Sequence, residues 1–198
     1  TPRQALGGAY MAGAFSALDQ EDLLAFQRLS ARALSLDSRL DDARYRLKAG
    51  DALRRLGRHQ QALAHWRHAA ALDETSAEPH YNSGVVHHYD LRNEEMAMRA
   101  WQQALAVDPD HVASLGQMAA ARRRQGQYEE AASLWRRTIQ LDPQNADAFY
   151  NLGLVFGHDL DDSETALAFW RQTTVLDSLH WNARYNIAFT LYNSGAYQ

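Results

Sequence analysis

This sequence predicts an all-α fold, an α-solenoid of tandem antiparallel helix pairs. Three observations predict it. Four tryptophans, Trp66, Trp101, Trp135 and Trp170, recur at spacings of 35, 34 and 35 residues. Each has an Ala four residues before it (Ala62, Ala97, Ala131, Ala166) and an Asp seven residues after it (Asp73, Asp108, Asp142, Asp177). Within a period the apolar residues keep helical spacing: Ala131, Leu134, Trp135 and Thr138 stand at i, i+3, i+4 and i+7. A repeat of this length is one supersecondary unit, which cannot bury its faces alone and is stabilised by stacking on its neighbours.

The elements follow in order. Residues 1–42 form a degenerate helix pair, with helices expected over 3–18 and 20–36. ARALSLD echoes the end of a later second helix, but Phe26 and Ser30 hold the Ala and Trp places. Terminal repeats are often atypical because one face lacks a neighbour. Four units follow, 43–76, 77–111, 112–145 and 146–180. In unit 112–145 the Ala-rich first helix ends at Gly126, a left-handed C-terminal cap. The second helix spans 128–141 and stops before Asp142-Pro143, because a residue preceding Pro disfavours helix. LDPQN then caps the next helix. The 35-residue units match each other best and are expected to carry their extra residue in the turn, as HYDLRNEE and HDLDDSE. Residues 181–198 are the first helix of an incomplete unit, in which Gly195 and Tyr197 match a turn and the start of a second helix. The apolar Ile187, Phe189 and Leu191 lead to the expectation that the chain continues.

Burying an aromatic ring removes roughly 150–250 Å² from water, so each Trp contributes several kcal/mol as core. The small Gly84, Gly153, Ala97 and Ala166 are expected where helices approach closely.

Composition narrows the function classes. The chain has 24 acidic and 20 basic residues, a net charge of −4, which weighs against general nucleic-acid binding. No apolar run approaches a membrane span, and the N-terminus carries no signal-peptide pattern. The chain lacks Cys, and its nine His fall into no zinc-ligand spacing. No nucleophile–base constellation, phosphate loop or cofactor motif is present, so no catalytic residue, metal or cofactor is expected. The compartment is left open.

The pattern resembles the tetratricopeptide repeat family. The matching residues in unit 112–145 are Gly126, Tyr128, Ala131, Trp135 and Pro143, joined by Gly84, Gly153 and Pro109 in the others. Departures are Arg46 and Leu115 at the first-helix aromatic place, which Phe149 fills, and Glu74 and Ser178 at the closing Pro. The resemblance implies a right-handed superhelix with first helices lining its concave side. Numbering each unit from Ala43, Ala77, Val112, Ala146 or Trp181, the fifth position holds Leu47, Tyr81, Gly116, Tyr150 and Tyr185. The sixth holds Lys48, Asn82, Gln117, Asn151 and Asn186, a wholly polar row.

Amides have both donor and acceptor and can satisfy an extended peptide backbone, beside Tyr rings that lose little entropy. The row resembles the asparagine ladder of some sugar-transferase tetratricopeptide domains, not the carboxylate clamp of chaperone-binding relatives. An Asn at the sixth place also serves as part of a well-formed repeat, so both readings stand. Arg44, Arg54-Arg55 and Arg123-Arg124 lie on the same stripe. They complement helix C-termini or an acidic stretch in a partner. The expected function is a non-catalytic scaffold binding a protein or peptide in its groove. Self-assembly into a homo-oligomer, a regulatory arm of a larger protein and RNA binding are the alternatives, the last disfavoured by charge.

Overall fold

The computed structural model describes residues 1–195, so the Tyr197 expectation lies outside the described residues. These form eleven α-helices and no strand. Two compact units divide the chain, Thr1–Pro109 and Asp110–Gln198.

The first unit contains α1 (Pro2–Asp19), α2 (Leu23–Leu36), α3 (Ala43–Arg55), α4 (His59–Leu72), α5 (Glu78–Val85) and α6 (Glu94–Val107). Consecutive helices pack in pairs, α1 on α2, α3 on α4, α5 on α6. Helix α2 starts three residues later than the sequence pattern suggests. Glu21 takes a left-handed conformation (φ 61°), and Asp22 caps α2 by accepting from the Ala25 N–H at 2.8 Å. A side-chain cap satisfies an otherwise unpaired helix N–H and fixes the start. Met11, Ala14, Phe26, Ala33, Tyr45 and Ala49 join α1, α2 and α3 in one core.

The second unit contains α7 (Val112–Arg124), α8 (Tyr128–Leu141), α9 (Ala146–Leu154), α10 (Ser163–Leu176) and α11 (Trp181–Asn193). Asn145 caps α9 through Ala148 N at 3.0 Å, as LDPQN implies, and Gly126 closes α7 at φ 76°. Helix α9 packs its Ala148 and Leu152 against Ala131 and Trp135 of α8. Helix α11 lays Ala183 and Ile187 over Trp170, Tyr150 and Leu154.

The four tryptophans form the core of their pairs, each no more than 6% exposed. Glycine opens the space in three of them. A Cβ on Gly50, Gly84 or Gly153 would stand 2.4, 2.3 or 2.4 Å from Nε1 of Trp66, Trp101 or Trp170. Ala97 and Ala166 are fully buried beside them.

The 35-residue units correct one expectation. Their extra residue enters the first helix, which ends in a π-helical turn, Val86–Asp90 after α5 and Val155–Asp159 after α9. The N–H groups of Leu91 and Leu160 reach back five residues to the carbonyls of Val86 and Val155, each at 3.0 Å. Inserted residues are often absorbed as π-bulges. Arg92 (φ 54°) and Asp161 (φ 55°) then make the left-handed step that Gly57 and Gly126 make in the shorter units. The π turn also sets the rings of His88 and His158 against Trp101 and Trp170, at 5.6 and 5.8 Å.

Candidate partner-binding face

In the first unit the expected residues lie on α3 and α5. Arg44 and Lys48 are exposed, and the Lys48 ammonium sits 5.7 Å from the Phe15 ring. Tyr81 is half-buried, and burial raises its hydroxyl pKa. Asn82 donates from Nδ2 to Asp51 on α3 at 3.1 Å. The same carboxylate oxygen accepts the Trp66 indole N–H at 3.1 Å. Desolvation pushes the Asp51 pKa up, and the Trp66 hydrogen bond opposes that shift.

In the second unit Gln117, Tyr150 and Asn151 are half-buried on α7 and α9. Asn151 donates to the Asp147 carbonyl of its own helix at 2.8 Å, and Tyr150 lies 4.5 Å from the His180 ring. Tyr185 is 60% exposed. Asn186 departs from the expected open row. It is only 8% exposed, and its Nδ2 has no hydrogen-bond partner among the described residues. Its neighbours Ala183 and Ile187 pack onto the α10 core, and that rotation of α11 carries Asn186 inward.

The arginines divide by position. Arg54 donates to Asp90 at 2.8 Å, and Arg123 pairs with Asp159 through Nε and, at 3.3 Å, through Nη2. Both pairs span 36 residues and join a first helix to the next π turn. They are internal ties, which removes Arg54 and Arg123 from the charge open to a partner. Arg55 is exposed beside Asp19 at 3.6 Å, and Arg124 is exposed. The sequence reading missed Asp51, Asp90 and Asp159. The equal 36-residue offset of the two Arg–Asp pairs was the available signal.

Among the described residues no three His, Cys, Asp or Glu side chains are grouped to hold a metal ion. No described helix is long and apolar enough to cross a membrane.

A family model described as TPR repeat matches residues 50–90 and 119–159. No curated protein sequence matches the chain significantly. Among solved structures, the MamA protein is 19% identical with a TM-score of 0.69, over 87% of this chain and 92% of that one. YrrB, described as a TPR protein with an unusual peptide-binding site, is 22% identical with a TM-score of 0.67, covering 89% of each chain. A tetratricopeptide repeat protein from Parabacteroides merdae is 14% identical with a TM-score of 0.75, over 96% of this chain and 74% of that one. At these identities the structures speak for the fold. The two repeat matches lie inside that fold, so residues 50–90 and 119–159 carry the tetratricopeptide repeat pattern.

Proposed function

We propose that the protein is a non-catalytic scaffold that holds a peptide, or an extended segment of a partner protein, against its first helices. One observation carries this reading. In each unit a Tyr-Asn pair is half exposed, and an internal bond fixes the Asn amide: Asn82 to Asp51, Asn151 to the Asp147 carbonyl. The bond uses one N–H of the amide, whose carbonyl oxygen is an acceptor. A fixed acceptor beside a Tyr ring suits a peptide N–H at low entropic cost. The peptide-binding description of YrrB is compatible with this, although that likeness carries the fold alone. An acidic stretch in the ligand would meet Arg44 and Lys48, which are exposed on α3.

The test begins with peptides selected on the protein from a random display library. Asn82→Ala combined with Asn151→Ala should weaken the selected peptides about tenfold, near 1.4 kcal/mol. Its melting temperature should fall by only a few degrees. Unchanged affinity with a large drop in melting temperature would assign the amides to the repeat itself and sink the reading. Binding of single-stranded RNA with steep salt dependence would favour the nucleic-acid alternative instead.

A further inference from the structure

Two equivalent places in the chain are filled differently. In the second unit, Phe149 of α9 and Phe156 of the π turn after it close on Phe169 of α10, with ring distances of 6.4 and 5.7 Å. The Arg136 guanidinium of α8 lies 5.3 Å from the Phe156 ring. Equivalent residues stand 69 positions earlier, as Trp101 stands to Trp170. There the three rings are replaced by His80, His87 and Ala100, and Arg136 by Arg67.

At the earlier place a groove of about 510 Å³ lies open between α4 and α6, floored by α5. Its volume falls within the range of ligand pockets, about 300–1,000 Å³. Leu63, Trp66 and Ala100 line it with carbon, and Met96 beside them is 40% exposed. Arg67 and Arg99 also line it, joined by His80 and His87, while no Asp or Glu does, in a chain whose net charge is −4. Arg67 is exposed and makes no ion pair among the described residues. Arg99 keeps an exposed i,i+4 pair with Glu95 at 2.6 Å, a kind of contact that contributes little. At about 100° per residue, His80 and Ser83 lie on the side of α5 opposite Tyr81 and Asn82. This surface is therefore separate from the first-helix face and does not depend on the reading given to that face.

We propose that the groove takes an aromatic side chain from an acidic segment of a partner protein. The second unit shows the shape of the occupant: Phe169 puts a phenyl ring where Ala100 leaves space. A partner's ring seated there lies beside Arg67, as Phe156 lies beside Arg136, and gains a cation–π contact. Carboxylates flanking the ring meet Arg67 and Arg99 through charge-assisted hydrogen bonds. A basic segment is repelled by the same two arginines.

Peptides selected from a random display library on the full 198-residue chain test it, with Arg67→Glu/Arg99→Glu as the counter-selected variant. Both arginines are exposed, and circular dichroism checks that the variant folds. The selected peptides should carry Phe, Tyr or Trp beside Asp or Glu. They should bind the wild type at least about tenfold more tightly than the variant. That difference should shrink as salt rises. His87→Phe with Ala100→Phe copies the second unit and should abolish binding by filling the groove; if it does not fold, the arginine variant still decides. Asn82→Ala with Asn151→Ala should leave the affinity of these peptides unchanged, which separates the two surfaces. The proposal is overturned if no selected peptide distinguishes the wild type from the arginine variant, or if binding survives the phenylalanine filling. It is also overturned if phosphatidylserine vesicles, and no such peptide, bind the wild type and not the arginine variant, because the groove then faces an anionic membrane.

Discussion

Three of the four tryptophan seats are built one way and the fourth another. In the units of Trp66, Trp101 and Trp170 the eighth position of the unit is glycine, and the five-membered edge of the indole occupies the space of its missing Cβ. In unit 112–145 the eighth residue is Ala119, and the glycine stands three residues earlier at Gly116. There the six-membered ring faces the glycine instead, with Cζ3 3.3 Å from where a Cβ would lie. One methyl group at the eighth position turns the ring, and the small residue moves to where the turned ring needs it. Trp135 remains buried at 6% exposure. The repeat thus conserves volume at the helix contact and lets the ring orientation vary, as close packing demands.

The largest effect should come from filling the first kind of seat. Gly84→Ala and Gly153→Ala force a Cβ to within 2.3–2.4 Å of a buried indole. Overpacking of that kind costs about 1–3 kcal/mol, beyond what alanine gains over glycine in a helix. Gly116→Ala meets its ring at 3.3 Å, a distance a small shift relieves. Its stability should stay within about 1 kcal/mol of wild type, because the helix gain offsets the crowding. Urea unfolding of the three variants checks the ordering. Equal losses at Gly116 and Gly153 would end the distinction between the seats.

A smaller difference separates seats of the same kind. The Trp66 N–H donates to the Leu47 carbonyl at 3.2 Å and to Asp51. The N–H groups of Trp101 and Trp170 have no hydrogen-bond partner among the described residues. The ninth position explains it: Asp51 in the first case, Val85 and Leu154 in the others. Trp66→Phe should therefore cost about 1–2 kcal/mol more than Trp170→Phe, since the latter removes a donor already unpaired. Denaturant midpoints of the two variants give the comparison directly.

The last expected effect is confined to a pH window. The residue before Trp66 is His65, where the other units have Ala100, Leu134 and Phe169. His65 lies against the rings of Phe26 and Tyr45, and burial lowers its pKa from 6.5 to about 4, with nearby Arg46 adding to the shift. Across that window the unfolded chain binds a proton that the folded chain does not. Stability therefore falls as pH drops from 6.5 to about 4 and this contribution is level below. His65→Leu, the residue of unit 112–145, should remove that part of the slope in thermal melts and leave the carboxylate part. An unchanged difference between the two proteins across the window would contradict the burial of His65.

Much of this was legible in the chain. The 34- and 35-residue period, the Trp core, the Gly126 cap and the Asn145 start are local or periodic features that neighbouring residues encode. The π turns were not legible, because HYDL and HDL fit a longer loop as well as a widened helix. Only packing against Trp101 and Trp170 favours the helix. The polar row was legible as a repeat position, but the surroundings of each member were not. Asn82, Asn151 and Asn186 share one repeat position, yet one reaches Asp51, one its own backbone and one the interior.

By itself the sequence determined the helices, their pairing and which residues recur at each place. Hydrophobic period, caps and breakers act over a few residues and need no distant partner. Tertiary structure alone decided the orientation of each ring, the use of Arg54 and Arg123 as internal ties to Asp90 and Asp159, and the inward turn of Asn186. Those outcomes depend on what the adjoining repeat offers within a few ångströms: a carboxylate, a missing Cβ or an apolar wall.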